Sequence, residues 1–328
     1  MNELIPVTVL TGYLGSGKTT VLNHLLSKPH GQKIAVIENE FGEIGVDQDL
    51  VIQAEEEIFE MSNGCVCCSV RGDLVRILLD LTKRKNRFDR IVLETTGVAD
   101  PAPVIQTFLA DPQIKKFYQL DAVVTMVDAM YFPIQGNRSP EARRQVTFAD
   151  RLVITKPDLV SNEEMNSLRE MLNRLNPRAG VQVAERGNVD WNELLGLRSL
   201  SVESIEKEFA PKKTQFSLRP APVAAVHETD VQSVSVEVTE AEGNAWVLDY
   251  WLNAFTRERG ADLYRLKGVL AIKGELNKKV FQGVHSMLDI TEGKEWKPDE
   301  QRRSVLVAIG KNLDAKLIEE TFRQCFRS

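Results

Sequence analysis

Along the first two hundred residues, short runs of β-branched and other apolar residues alternate with stretches whose apolar positions recur every three to four residues. The runs at 7–10, 33–38, 90–94, 120–127, 151–155 and 181–184 are apolar without period-two alternation, the pattern of strands buried on both faces. Residues 58–61 form a further brief apolar piece. Between these runs, 19–26, 70–83, 140–149 and 162–175 carry helical patterns; in 70–83 the apolar positions are Leu74, Ile77, Leu78 and Leu81. Pro101 opens a helix to about residue 109, and 191–197 reads as a short helix. Strands alternating with helices predict a doubly wound, mostly parallel α/β sheet.

Beyond residue 205 the pattern changes. Pro211, Lys212, Lys213, Pro220 and Pro222 fall in a stretch without period, read as a linker over 206–222. After it, 231–238 alternates as a half-exposed strand, and 245–255 suits an amphipathic helix. Residues 263–273 and 279–287 read as paired strands joined through Gly274-Glu275-Leu276-Asn277. A strand at 304–309 and a helix at 314–326, capped by Asp314, close the chain. Adjacent strands of this kind predict a smaller α+β domain. The expected limits are therefore 1–205 and 223–328 around the linker.

Composition narrows the function classes. A length of 328 residues suits about two domains. A formal charge of −6 argues against a nucleic-acid binder, and no apolar run is long enough to span a membrane. The opening residues lack the basic and apolar regions of a signal peptide, so the expected location is the cytoplasm. Three of the four cysteines fall within four positions, which in a reducing compartment points to metal or redox chemistry.

The first chemistry-bearing stretch is Gly12-Tyr13-Leu14-Gly15-Ser16-Gly17-Lys18-Thr19, which fits G-x-x-x-x-G-K-[ST] between a predicted strand and a predicted helix. Gly12, Gly15 and Gly17 let backbone N–H groups turn inward around an anion, and the helix N-terminus adds partial positive charge. These residues, with Thr20, are expected to hold the phosphates. Lys18 reaches the β- and γ-phosphates and Thr19 ligates Mg²⁺. Glu94, closing a strand, is the expected second carboxylate for Mg²⁺, and the Gly97 amide that follows can face the γ-phosphate. In Thr155-Lys156-Pro157-Asp158, the Asp158 carboxylate can accept two hydrogen bonds from guanine, which adenine cannot supply, so the expected nucleotide is GTP. Lys156 can lay its stem along the base. GTPases usually have Asn where Thr155 stands. Asp47 or Glu43 is a candidate for positioning the attacking water. No arginine finger is assignable, since Arg71 and Arg76 read as solvated helix-face residues, so slow intrinsic hydrolysis is expected.

Cys65, Cys67 and Cys68 offer thiolates, which favour Zn²⁺, Cu⁺ or clustered iron. A closed zinc site normally takes four protein ligands. This motif has no partner pair elsewhere, so the site is open or completed by carboxylates, with Glu38 and Glu43 the nearest. An open sulfur–oxygen site releases its ion and suits transfer.

These motifs together resemble the CobW-type P-loop GTPases, which include zinc metallochaperones. The resemblance rests on 12–19, Glu38-Asn39-Glu40-Phe41-Gly42, Cys65-x-Cys67-Cys68, Glu94-x-x-Gly97 and Thr155-Lys156-x-Asp158. Arg265-Leu266-Lys267-Gly268 and Gln282-Gly283-Val284-His285 match the second domain. It implies that the cysteine motif binds Zn²⁺ or a related ion, and that GTP hydrolysis drives its delivery to a metal-requiring client protein. It leaves the client, the metal and any self-association open, since members also serve cobalt and iron proteins. The four histidines, His24, His30, His227 and His285, are not clustered, which argues against metal storage. The rival readings are a small-molecule kinase or ATPase with an idle zinc knuckle, and a regulatory GTPase whose second domain only docks partners.

Overall fold

β1 (Ile5–Gly12) is the axis of the first sheet: six of its eight residues are buried, Thr8 and Thr11 among them. In chain order it is followed by α1 (Lys18–Leu26), β2 (Ile34–Glu38), β3 (Glu57–Glu60), α2 (Ser69–Thr82), β4 (Arg90–Glu94) and α3 (Ala102–Ala110). Then come β5 (Tyr118–Asp128), α4 (Phe132–Arg138), α5 (Pro140–Phe148), β6 (Arg151–Thr155), α6 (Asn162–Leu175) and β7 (Gly180–Val183). This computed structural model describes residues 4–27, 31–38, 57–60, 69–83, 88–197, 204–206, 209, 231–239 and 241–327.

The strands form one seven-stranded sheet in the order β3-β2-β4-β1-β5-β6-β7, and every neighbouring pair is parallel. From β1 the chain moves out to β2 and β3, returns to insert β4, then crosses to the other side for β5 to β7. Strand order thus reverses beside β1, and the crevice at the carboxyl ends of β1, β4 and β5 is where such sheets take ligands. Leu10, Val36, Val92, Val124 and Val153 pack with Val21, Leu22 and Leu25 of α1 in one core.

The opposite end of the sheet is held by a buried charge. Asp121 on β5 pairs with Arg90 on β4, and its Oδ2 also accepts from Thr8 Oγ1 at 3.0 Å and from the Gly196 amide at 2.8 Å. Three adjacent strands and a distant loop therefore share one carboxylate.

The chain divides into two compact units, Met1–Ser199 and Leu200–Ser328. In the second, β8 (Gln232–Val238), β9 (Leu263–Leu270), β10 (Asn277–Val284), β11 (Met287–Glu295) and β12 (Ser304–Gly310) form an antiparallel sheet in the order β11-β10-β9-β12-β8. α7 (Ala245–Arg259) and α8 (Ala315–Gln324) bury Leu248, Leu252, Ile318 and Phe322 against Val236, Leu266, Phe281 and Leu306. This is the predicted α+β arrangement. Of the predicted linker, 206–222, only Glu206 and Phe209 belong to the described residues, and Glu206 Oε1 accepts from the Lys294 amide at 2.7 Å.

Two expectations are corrected. Residues 279–287 are not one strand: the chain turns at His285-Ser286, with Val284 paired to Met287, and continues as β11. His285 starts that turn at φ 54°, and its Nδ1 lies 3.0 Å from the Gly260 carbonyl. β11 is an edge strand with many exposed, charged positions, so it lacks the alternation that marks a strand. The short helix expected at 191–197 is a single 3₁₀ turn, Trp191–Glu193.

Candidate functional site

The loop from β1 to α1 is shaped by three glycines at positive φ: Gly12 (146°), Gly15 (73°) and Gly17 (87°). At Gly12 the requirement is also steric, because a β-carbon there would lie 2.6 Å from the Met126 carbonyl oxygen on β5. Gly17 is the N-cap of α1, and no side chain caps the helix. The first-turn amides of α1 are thus left without a side-chain acceptor, and no acidic residue stands among them. That is the ordinary construction of an anion site. Lys18 is nearly buried, and its Nζ donates to the carbonyl oxygens of Gly12 at 2.9 Å and Tyr13 at 3.5 Å. The buried Ser16 and Thr96 hydroxyls have no hydrogen-bond partner among the described residues. Unpaired buried hydroxyls on either side of an uncapped helix end fit a polyphosphate that would satisfy them.

Three neighbouring strand ends complete this edge. Thr95, after β4, donates its amide to the Leu10 carbonyl at 2.9 Å and its hydroxyl to Thr11 Oγ1 at 2.9 Å. Gly97 then packs on the phosphate loop so closely that a β-carbon would lie 2.8 Å from Leu14 Cα. Glu94 is half-buried at the end of β4, in register with Leu10 of β1 on one side and Glu38 of β2 on the other. Glu38 is in turn in register with Glu60 of β3. Thr19 is half-buried in the first turn of α1. Thr19 and Glu94 are hard oxygen donors, the set Mg²⁺ prefers.

On the other flank, Thr155 does more than the missing Asn would suggest. Its hydroxyl donates to the Ser16 carbonyl at 2.8 Å, tying the loop after β6 to the loop after β1. Lys156 takes φ 54° and reaches back, with Nζ 2.8 Å from the Gly15 carbonyl and 2.6 Å from Asp128 Oδ2. Its stem therefore runs from the loop after β6 to the loop after β1. Asp158 is exposed in the 3₁₀ turn Pro157–Leu159.

Asp128 and the turn after β7 were not singled out from sequence. Asp128 is 2% exposed; besides Lys156 it accepts from the amides of Met130 and Tyr131 at 2.9 and 3.0 Å. The only signal was an acid at the end of a strand. The turn Glu185–Asn188 closes on itself by two backbone hydrogen bonds, 3.2 and 2.9 Å. It lies against α1, since a β-carbon at Gly187 would be 3.1 Å from Thr20 Cγ2.

Asp47, Glu43, Cys65, Cys67 and Cys68 lie outside the described residues. Among the described residues no group of three or more His, Cys, Asp or Glu is placed to hold a metal. Cys325 is buried on the end of α8, and burial pushes its thiol up to about 11, so it offers no thiolate at neutral pH. Arg76 pairs with Asp73 at 3.2 Å on an exposed helix face, as expected. Among the described residues no helix is long and apolar enough to cross a membrane.

Comparison with known proteins identifies the family. Residues 6–182 match the CobW/HypB/UreG nucleotide-binding domain, and 233–326 match the cobalamin synthesis protein cobW C-terminal domain. The zinc chaperone YjiA of Escherichia coli is 38% identical over 326 residues, 98% of each chain. The zinc-regulated GTPase metalloprotein activator 1 of Schizosaccharomyces pombe is 30% identical over 94% of this chain and 83% of its own. The crystal structure of Zn(II)-bound YjiA GTPase superposes with a TM-score of 0.76, at 33% identity and 99% coverage of both chains. A Zn(II)-bound variant of that protein, with one glutamate and two cysteines replaced by alanine, gives the same score.

Proposed function

The chain belongs to the CobW/HypB/UreG family, and from that premise we propose that it is a cytoplasmic, GTP-hydrolysing chaperone that carries zinc at Cys65, Cys67 and Cys68 and passes it to a metal-requiring client. Lys18 and the α1 amides stabilise charge on the transferring phosphoryl group. Thr19 and Glu94 are the residues that would hold Mg²⁺, which when bound would neutralise charge on the phosphates. Asp158 selects guanine. Asp47 positions the attacking water, and Glu38 and Glu43 complete the cargo site.

The observation that carries this reading is the alignment of two acidic residues, Glu94 and Glu38, at the carboxyl ends of neighbouring strands. Glu94 and Glu38 end adjacent parallel strands in register, so their backbones lie about 4.8 Å apart. Glu60, in register with Glu38, ends β3. From Glu60 the chain reaches Cys65 in five residues, a span of at most about 18 Å, and Cys68 directly precedes Ser69 of α2. In sequence, the candidate cargo ligands thus lie between the end of β3 and the start of α2. A change at the γ-phosphate can reach both sites through β2 and β4.

Nucleotide competition separates this reading from a kinase or ATPase. We expect GTP to displace a bound guanine nucleotide where ATP does not. We expect Asp158→Ala to weaken GTP binding on the order of tenfold to a hundredfold, since two hydrogen bonds to a charged acceptor are lost. Equal competition by ATP would rule the reading out.

A further inference from the structure

We propose that Gln145 is a positioning residue for GTP hydrolysis: from α5 it latches the Thr96–Ala99 turn against the phosphate loop, in the place a triphosphate requires. This inference rests on the GTPase reading above. Gln145 is 1% exposed. Its Nε2 donates to the carbonyl oxygens of both Gly97 and Ala99, each at 3.1 Å. Two carbonyls facing the same atom fix the amide's orientation, because the flipped amide would set oxygen against oxygen. Oε1 is then buried without a partner among the described residues. A buried amide that leaves its oxygen unpaired is an expensive way to fill space; the two donated bonds are what an apolar side chain of similar volume could not supply.

The latch acts on the part of the turn beyond its tie to β1. The start of the turn is tied to β1 through Thr95, and the Ala99 amide closes it by donating to the Thr96 carbonyl at 3.0 Å. The stretch from Gly97 onward is tied to α5, by Gln145 and by Arg144, which pairs with Asp100 at 3.1 Å. α5 is itself anchored on the sheet: the Gln145 carbonyl accepts from Thr125 Oγ1 of β5 at 2.7 Å. The Gly97 amide is the group assigned to the γ-phosphate, so any slack in this turn is felt by GTP and not by GDP.

The test is Gln145→Met, which keeps side-chain length but removes the donor. The affinities for GDP and for a non-hydrolysable GTP analogue, the hydrolysis rate and the melting temperature are measured on the full chain. The expected result is about tenfold weaker analogue binding and about tenfold slower hydrolysis, with GDP affinity within about twofold of wild type. Unchanged values, or losses shared equally by GDP and the analogue, would overturn the latch and leave a merely structural glutamine. Should this variant not fold, amide hydrogen exchange on the wild-type chain with GDP bound decides. The latch predicts that 96–99 exchanges at least about tenfold slower than free peptide, and free-peptide rates would overturn it. Failure of the GTPase reading shows separately, as a wild-type chain that binds neither guanine nucleotide.

Discussion

Lys18→Ala is expected to slow phosphate release from saturating GTP and Mg²⁺ by about 10²- to 10³-fold, the usual cost of deleting one preorganised charge from a site where negative charge shifts during reaction. The ammonium sits at the β1–α1 loop, donating to the Gly12 and Tyr13 carbonyls. Its contribution is to chemistry more than to the fold. The loop's shape is set by glycines at positive φ and by the Thr155–Ser16 and Lys156–Gly15 hydrogen bonds, none of which involves Lys18. The variant is therefore expected to melt near the wild-type temperature while losing turnover. Lys18→Arg is not expected to rescue, since a planar guanidinium does not replace a compact ammonium in so confined a place. A rate within threefold of wild type would show that the phosphoryl group does not meet this residue.

The largest expected effect on stability lies at the other end of the same sheet. Asp121→Ala is expected to cost the first unit about 3–5 kcal/mol, because it leaves the buried Arg90 guanidinium without its counter-charge. Thr8 and the Gly196 amide lose their acceptor at the same time. This approaches the total stability of many domains. Asp121→Asn, which keeps an acceptor but not the charge, is expected to cost less. Hydrogen exchange of the β1, β4 and β5 amides is the suitable readout, because it reports on this unit alone in a two-unit chain. Acceleration of less than about fivefold, under ~1 kcal/mol, would mean that the pair is relaxed by water or by neighbours.

The sequence was most legible where one residue type has one physical use. The glycines of 12–17 and the apolar runs around them announced both the phosphate loop and the sheet that carries it. Glu94 was singled out as the acid closing a buried strand, and it does end β4. Less of the rest was visible, for reasons particular to each element. α4 contains Pro133 and Gly136 and has no apolar period, so only its packing against α5 and α6 makes it a helix. β11 is a polar edge strand defined by its partner β10. The union of Lys156 with Asp128 and Gly15, and of Gly187 with Thr20, joins residues 28 to 167 positions apart. Such contacts are created by strand order, which local pattern does not encode. The resemblance to the CobW-type family added the cargo, which neither period nor spacing could name. The family match over 6–182 and 233–326 bears that resemblance out.

The central claim is that one sheet edge serves both a triphosphate and a thiolate-held ion, so that each alters the other's hold. The direct measurement is zinc affinity of the wild-type chain by competition with a chromophoric chelator, once with GDP and once with a non-hydrolysable GTP analogue. We expect zinc to be held at least about tenfold more tightly with the analogue, a coupling of ~1.4 kcal/mol. By reciprocity, zinc should raise the preference for the analogue over GDP by the same factor. Zinc affinities equal within twofold in the two nucleotide states would contradict the account.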